Sequence, residues 1–233
     1  MKDFFKKLFG SAQRQFFSRS PRVAFLRGDG VHFECSGKSF PVRDLSDSGL
    51  GIERVDREFT MGAVLDGKLT ILSKEIAVRV EVIRVTEDVL GCKFLDDARP
   101  VRAALVDLFQ EEIQASGMSE VSSKSLAKEE GGNPRWFYAP GNFELYLLEN
   151  EGQVSRFELN LDGCIYSAKK GSRLRVGNVP EELRGNPSHA KSSLIQWRDN
   201  LEEAERLKAE RVIRNIKPLP KELGEQIIQL LRS

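Results

Sequence analysis

From Ile76 to Val82 apolar residues hold every second position: Ile76, Val78, Val80 and Val82 point one way, with Ala77, Arg79 and Glu81 between them. A period of two sends alternate side chains to opposite faces of an extended chain, so this run is a half-buried strand and not a helix. Shorter β-type runs surround it at 23–27, 31–35, 39–45, 50–55, 63–72 and 89–95. Turn residues such as Gly28-Asp29-Gly30 and Ser36-Gly37 separate the earlier of them. The runs 63–72 and 76–85 read as one long hairpin. Pro100 then opens a helix in which Val101, Leu105, Leu108 and Phe109 share a face. Several short strands followed by one helix predict a small antiparallel β-barrel, in a chain that is mainly β with some α.

Composition changes at residues 116–134, which are rich in serine, lysine and glutamate and end in Gly131-Gly132-Asn133-Pro134. This stretch reads as a flexible linker. Beyond it, 136–138, 143–149, 154–161, 164–168 and 174–176 form a second small unit, a β-meander with turns at Asn150-Glu151-Gly152 and Asp162-Gly163. Ser188 is placed to cap a long helix, 188–215, carrying Leu194, Trp197, Leu201, Ala204 and Leu207 at steps of three or four. Two readings of that seam stay open: it packs on its own meander, or it joins two copies of the chain. Pro218 and Pro220 end it, and a last helix carries Leu223, Ile227, Leu230 and Leu231. The expected organisation is an amphipathic helix at 1–17, a barrel with its closing helix at 18–115, the linker at 116–134, and the meander with its helical tail at 135–233.

Lys and Arg number 36 against 35 Asp and Glu, a net charge of +1. A balance this close excludes a general nucleic-acid coat, which needs a dominant basic face. It leaves room for a small anionic ligand held by a few arginines. Cys35, Cys92 and Cys164 are odd in number and far apart, and Cys35 and Cys92 fall inside strands. They read as reduced core residues, which points to a cytoplasmic location, with neither a disulfide frame nor a metal site. No run is apolar enough to cross a membrane. In 2–9, Phe4, Phe5, Leu8 and Phe9 recur at helical spacing beside lysines. That stripe suits docking on the chain's own domain or a second subunit, with membrane-surface contact as the other reading.

The chemistry concentrates at Asp44-Leu45-Ser46-Asp47-Ser48-Gly49-Leu50-Gly51, between two strand-like runs and after Arg19 and Arg22. An acid, a hydroxyl and small glycines hold a polar planar ligand, and arginines donate paired hydrogen bonds to phosphate or to a base edge. The chain from Arg22 to about Ala115 resembles the PilZ domain, the β-barrel receptor for the bacterial second messenger cyclic di-GMP. Asp44, Ser46 and Gly49 fit that family's Asp/Asn-x-Ser-x-x-Gly element. Gly62, Val64, the run 80–85, and Gly91-Cys92-Lys93-Phe94 fit its later strands. Arg22 fits the second arginine of its Arg-x-x-x-Arg element; the first position holds Ser18, with Arg19 one place away.

The resemblance implies a cyclic di-GMP-binding receptor or adaptor that relays messenger level to a protein partner. Its ligand contacts would be Arg19, Arg22, Asp44, Ser46 and Gly49, with Asp44 taking the guanine Watson–Crick donors. The alternative is a degenerate PilZ-like scaffold that acts through protein–protein contact. An enzyme is not expected: His32 and His189 stand without a nucleophile motif, no cofactor loop appears, and Asp96-Asp97 read as a helix cap.

Overall fold

The computed structural model describes residues 21–54, 59–127, 129, 132–180, 195–198 and 201–233. The expected N-terminal helix, with Ser18, Arg19 and the stripe in 2–9, lies outside the described residues, as do Ser188, His189 and Leu194. The chain forms two compact units that divide between Gln110 and Glu111.

The first unit is a closed antiparallel barrel. Its strands are β1 (Val23–Ala24), β2 (Val31–Cys35), β3 (Lys38–Leu45), β4 (Gly49–Glu53), β5 (Val64–Ile71), β6 (Lys74–Val85) and β7 (Val89–Phe94). They run in the order β1-β3-β2-β5-β6-β7-β4, and β3 pairs with β4 to close a ring of six. Closure leaves no long free edge for another chain to pair with. The long alternating run is β6, and Val78, Val80 and Val82 are its buried side. Phe33, Phe40, Val42, Leu45, Leu50, Ile52, Leu69, Leu90 and Cys92 fill the barrel beside them. Burying one such side chain contributes roughly 1.5–3 kcal/mol. Helix α1 (Arg99–Leu108) packs Val101, Ala104 and Leu105 inward, and Phe109 meets Phe25 edge-on at 4.9 Å. Asp97 accepts the Arg99 backbone N–H at 3.0 Å, so it serves at the helix start.

The second unit is a meander of seven strands in sequence order: β8 (Ser119–Glu120), β9 (Asn133–Ala139), β10 (Phe143–Asn150), β11 (Gln153–Leu161), β12 (Cys164–Lys169), β13 (Arg175–Asn178) and β14 (Gln196–Arg198). Helix α2 (Gln110–Ser116) precedes it, and α3 (Glu203–Asn215) and α4 (Lys221–Arg232) follow. Val212, Ile213, Ile216, Ile227 and Leu231 share one core with Phe137, Leu145, Phe157 and Leu159. The stretch expected as a linker carries the end of α2, a 3₁₀ turn at Ser123–Ser125, and β8, which pairs with β9.

One expectation is corrected. The helix proposed for 188–215 is not continuous: Trp197 lies in β14, opposite Gly177 on β13, and the helix begins only at Glu203. Two local forces outweigh the helical spacing of its apolar residues. The Arg175 guanidinium lies over the Trp197 ring at 4.2 Å, and Glu202 with Glu205 forms a reciprocal capping box that starts α3 there. Trp197, Leu201, Ala204 and Leu207 therefore do not make one helical seam. The face of α3 that enters the core is Ala209, Val212 and Ile213.

Candidate functional site

The site begins with a fault in the alternation of β3. Phe40, Val42 and Leu45 are buried, so the inward step is two residues and then three. The register shows why: Val42 faces Ile52 and Asp44 faces Gly51, which leaves Arg43 as an extra residue. A bulge of this kind turns two consecutive side chains to the same side of the sheet. Arg43 and Asp44 accordingly both lie on the outer face of the barrel, half-buried.

Asp44 belongs to a row that crosses the barrel wall. Ala24 is opposite Asp44 on β1, Gly51 is opposite Asp44 on β4, Gly91 is opposite Gly51 on β7, and Arg84 is opposite Gly91 on β6. Directly opposed residues point to the same face. Two glycines therefore floor the middle of the row, an acid stands at one side and a guanidinium at the other. The side chains fold over that floor. A Cβ on Gly51 would meet Asp44 Oδ2 at 2.8 Å, and one on Gly91 would meet Arg84 Nε at 3.4 Å.

Arg22 Nη1 donates to Asp44 Oδ1 at 2.5 Å, with the side chains 43% and 25% exposed. Exposure on that scale makes the pair worth roughly 0–1 kcal/mol, so it orients the two groups without locking them. The structure thus brings together Arg22 and Asp44, two of the residues the sequence singled out.

Ser46 and Gly49 take different places. Ser46 is 1% exposed. Its backbone N–H donates to the Gly49 carbonyl at 2.9 Å, and its hydroxyl donates to the same oxygen at 3.1 Å. Ser46 therefore holds the β3–β4 turn from within. Gly49 points at β7, where a Cβ would lie 2.1 Å from the Cys92 carbonyl oxygen. It permits close approach of β4 to β7 beside the site. Gly51, two residues on, is the glycine under the aspartate. Arg19 lies outside the described residues.

A second charged group adjoins the row. Glu53, at the end of β4, accepts Arg27 Nε at 3.0 Å and a further bond from Arg27 Nη2, and pairs with Arg43 Nη2 at 3.0 Å. The Arg27 hydrogen bond above all holds the Glu53 carboxyl below the usual carboxylate range. Arg27 and Arg43 are thereby committed to Glu53. His32 is a strand-face residue beside Glu34, Nε2 to Oε1 at 3.2 Å. Among the described residues no cluster of His, Cys, Asp and Glu forms a metal site, and no helix is long and apolar enough to cross a membrane.

The closed barrel thus presents an acid, arginines and a glycine floor on its outer wall. Residues 12–111 match the PilZ domain. PilZ domains are binding domains. No curated protein matches the chain. Among solved structures it is similar to an uncharacterised Legionella protein, 20% identical over 39% of this chain and 95% of that one, with a TM-score of 0.34. It is also similar to MrkH, titled a c-di-GMP-dependent transcription regulatory factor, 22% identical over 40% of this chain and 51% of that one, TM-score 0.34. The K. pneumonia MrkH–c-di-GMP complex gives 22% identity over 41% and 53%, TM-score 0.35. The match therefore spans about half of the MrkH chains.

Proposed function

We propose that the outer face of β3 and β4 is a receptor site for cyclic di-GMP. The observation that carries this reading is the Arg22–Asp44 pair standing over Gly51 within a PilZ domain. Arg22 uses Oδ1 of the aspartate, and among the described residues Oδ2 accepts no hydrogen bond. Oδ2 over a glycine floor is an acceptor for the N1–H and exocyclic amine of a guanine laid flat on that floor. The Arg22 fork supplies the complementary donors for the Hoogsteen edge or a phosphate. Ser46 and Gly49 serve indirectly, by fixing the turn and letting β4 close on β7. Arg19 joins as a further donor from the chain ahead of β1.

The protein acts without catalysis. Messenger binding shifts a population between two arrangements, and a protein partner in the cytoplasm reads the shift; this requires different messenger affinities in the two arrangements. A scaffold that no longer takes nucleotide is the second reading. It draws on Ser18 at the first arginine position and on the engagement of Arg22 by Asp44 in the free chain. Titration calorimetry separates them. Saturable heat at micromolar cyclic di-GMP supports the receptor, and no heat from folded protein supports the scaffold.

A further inference from the structure

We propose that Arg84 is a second ligand-contacting guanidinium of this face, facing Asp44 across the glycine floor. The inference rests on the receptor reading above and extends it to a residue on a different strand. Its side chain lies along β7: the position of a Gly91 Cβ is 3.2 Å from Arg84 Cβ and 3.4 Å from Nε. Gly91 is directly opposite Gly51, whose own Cβ position is 2.8 Å from Asp44 Oδ2. Acid and guanidinium thus lie over two directly opposed glycines, one interstrand step of about 5 Å apart. Any side chain at residue 51 or 91 would occupy that gap. Two glycines in register on an outer face leave a strip of sheet flat enough for a purine ring.

Charge points the same way. Cyclic di-GMP carries one negative charge on each of its two phosphates, while Arg22 and Asp44 cancel each other at 2.5 Å. Arg27 and Arg43 are held by Glu53, and Arg54 donates to the Thr86 carbonyl at 2.9 Å. Lys93, on β7, stands opposite Glu81 in the register. Arg84 is exposed, and among the described residues its side chain makes no hydrogen bond or ion pair. Among the described residues it is an uncommitted fork beside the floor, able to lie over a base or to meet a phosphate with paired donors.

The test is fluorescence anisotropy of labelled cyclic di-GMP with the full chain and three variants: Arg84→Ala, Arg84→Lys and, as a control, Arg79→Ala. Arg79 lies on the same strand and faces Asp66 at 3.5 Å. We expect Arg84→Ala to weaken binding by about tenfold or more and to flatten the salt dependence. Arg84→Lys restores the salt dependence but only part of the affinity, because an ammonium lacks the fork. Arg79→Ala stays within about twofold of wild type. Wild-type binding that Arg84→Ala leaves unchanged overturns this assignment alone. A folded wild-type chain that binds nothing overturns the receptor reading, and this assignment with it.

Discussion

Asp44 stands directly opposite Gly51 on the β3–β4 ladder, and its Oδ2 lies 2.8 Å from where a Gly51 Cβ would be. The carboxylate can fold flat over β4 only because residue 51 has no side chain. Gly51→Ala therefore lifts the carboxylate off the strand and disturbs its bond with Arg22. The exposed end of the aspartate can move, so the barrel survives with a loss of at most about 1 kcal/mol. Affinity for cyclic di-GMP falls by about tenfold. Urea unfolding and calorimetry on the same sample check both halves. A variant that binds like wild type contradicts the role given to this glycine.

Gly49 predicts the opposite balance. A Cβ there would sit 2.1 Å from a backbone oxygen of Cys92, which cannot step aside as a side chain can. Gly49→Ala parts β4 from β7 and costs about 3 kcal/mol or more. Circular dichroism and urea unfolding read this loss directly, and near-wild-type stability would contradict it. Ser46→Ala is milder. It removes a buried hydroxyl donor to the Gly49 carbonyl and costs about 1 kcal/mol. The remaining folded protein keeps most of its affinity.

Acid stability depends on Glu210 in the second unit. Its carboxylate is buried and meets Arg232 at 2.6 Å, Arg206 at 2.7 Å and Arg214 at 3.7 Å. Arg232 foremost, with Arg206, holds its titration below the ordinary carboxylate range. In the unfolded chain a glutamate titrates near pH 4.3. The stabilisation is thus fully present above about pH 4.3 and is lost as pH falls through the lower, folded value. Glu112 works in the other direction. Burial pushes its titration up even beside Arg211, so its ionisation costs stability as pH rises from about 4.3 to its folded value. Melting curves of wild type and Glu210→Gln should lie furthest apart near pH 7 and draw together as the pH falls below about 4.3. A constant gap across that range would contradict this account.

Thiol chemistry gives a check on the barrel core. Burial pushes the Cys92 thiol up to about 12, and it raises Cys35 as well. At about pH 8 neither is ionised, and a disulfide reagent reaches them only on unfolding. Cys164, on the second sheet, is partly exposed. Reaction with such a reagent before and after denaturant should show Cys35 and Cys92 only in the denatured sample. Prompt labelling of Cys92 in folded protein would contradict the barrel as described.

Much of this was legible in the chain because the signals were local. The period of two in β6 needs no partner to be read, and the barrel followed from repeating it. The bulge was also present in the sequence: the apolar positions Phe40, Val42 and Leu45 step by two and then three. Inside a run read simply as a strand at 39–45, that step did not reveal that Arg43 and Asp44 share a face. The glycine floor was not legible, because Gly51 and Gly91 meet only through the register of strands some forty residues apart. Proximity in the motif drew attention to Gly49 instead. Trp197 misled for a related reason. Its spacing from Leu194 and Leu201 copies a helix, but its energy comes from Arg175 and a strand edge that the spacing does not encode.

The most direct test is a double-mutant cycle on Arg22 and Asp44, with calorimetric titration of cyclic di-GMP into wild type, Arg22→Ala, Asp44→Asn and the double variant. Two groups that grip one ligand, and that touch each other at 2.5 Å, should not act independently. We predict micromolar binding by wild type and a loss of about tenfold or more in each single variant, with the double variant weakened by clearly less than the two losses multiplied together. Wild-type binding that survives either substitution intact, or no binding by a folded wild type, would contradict the central claim.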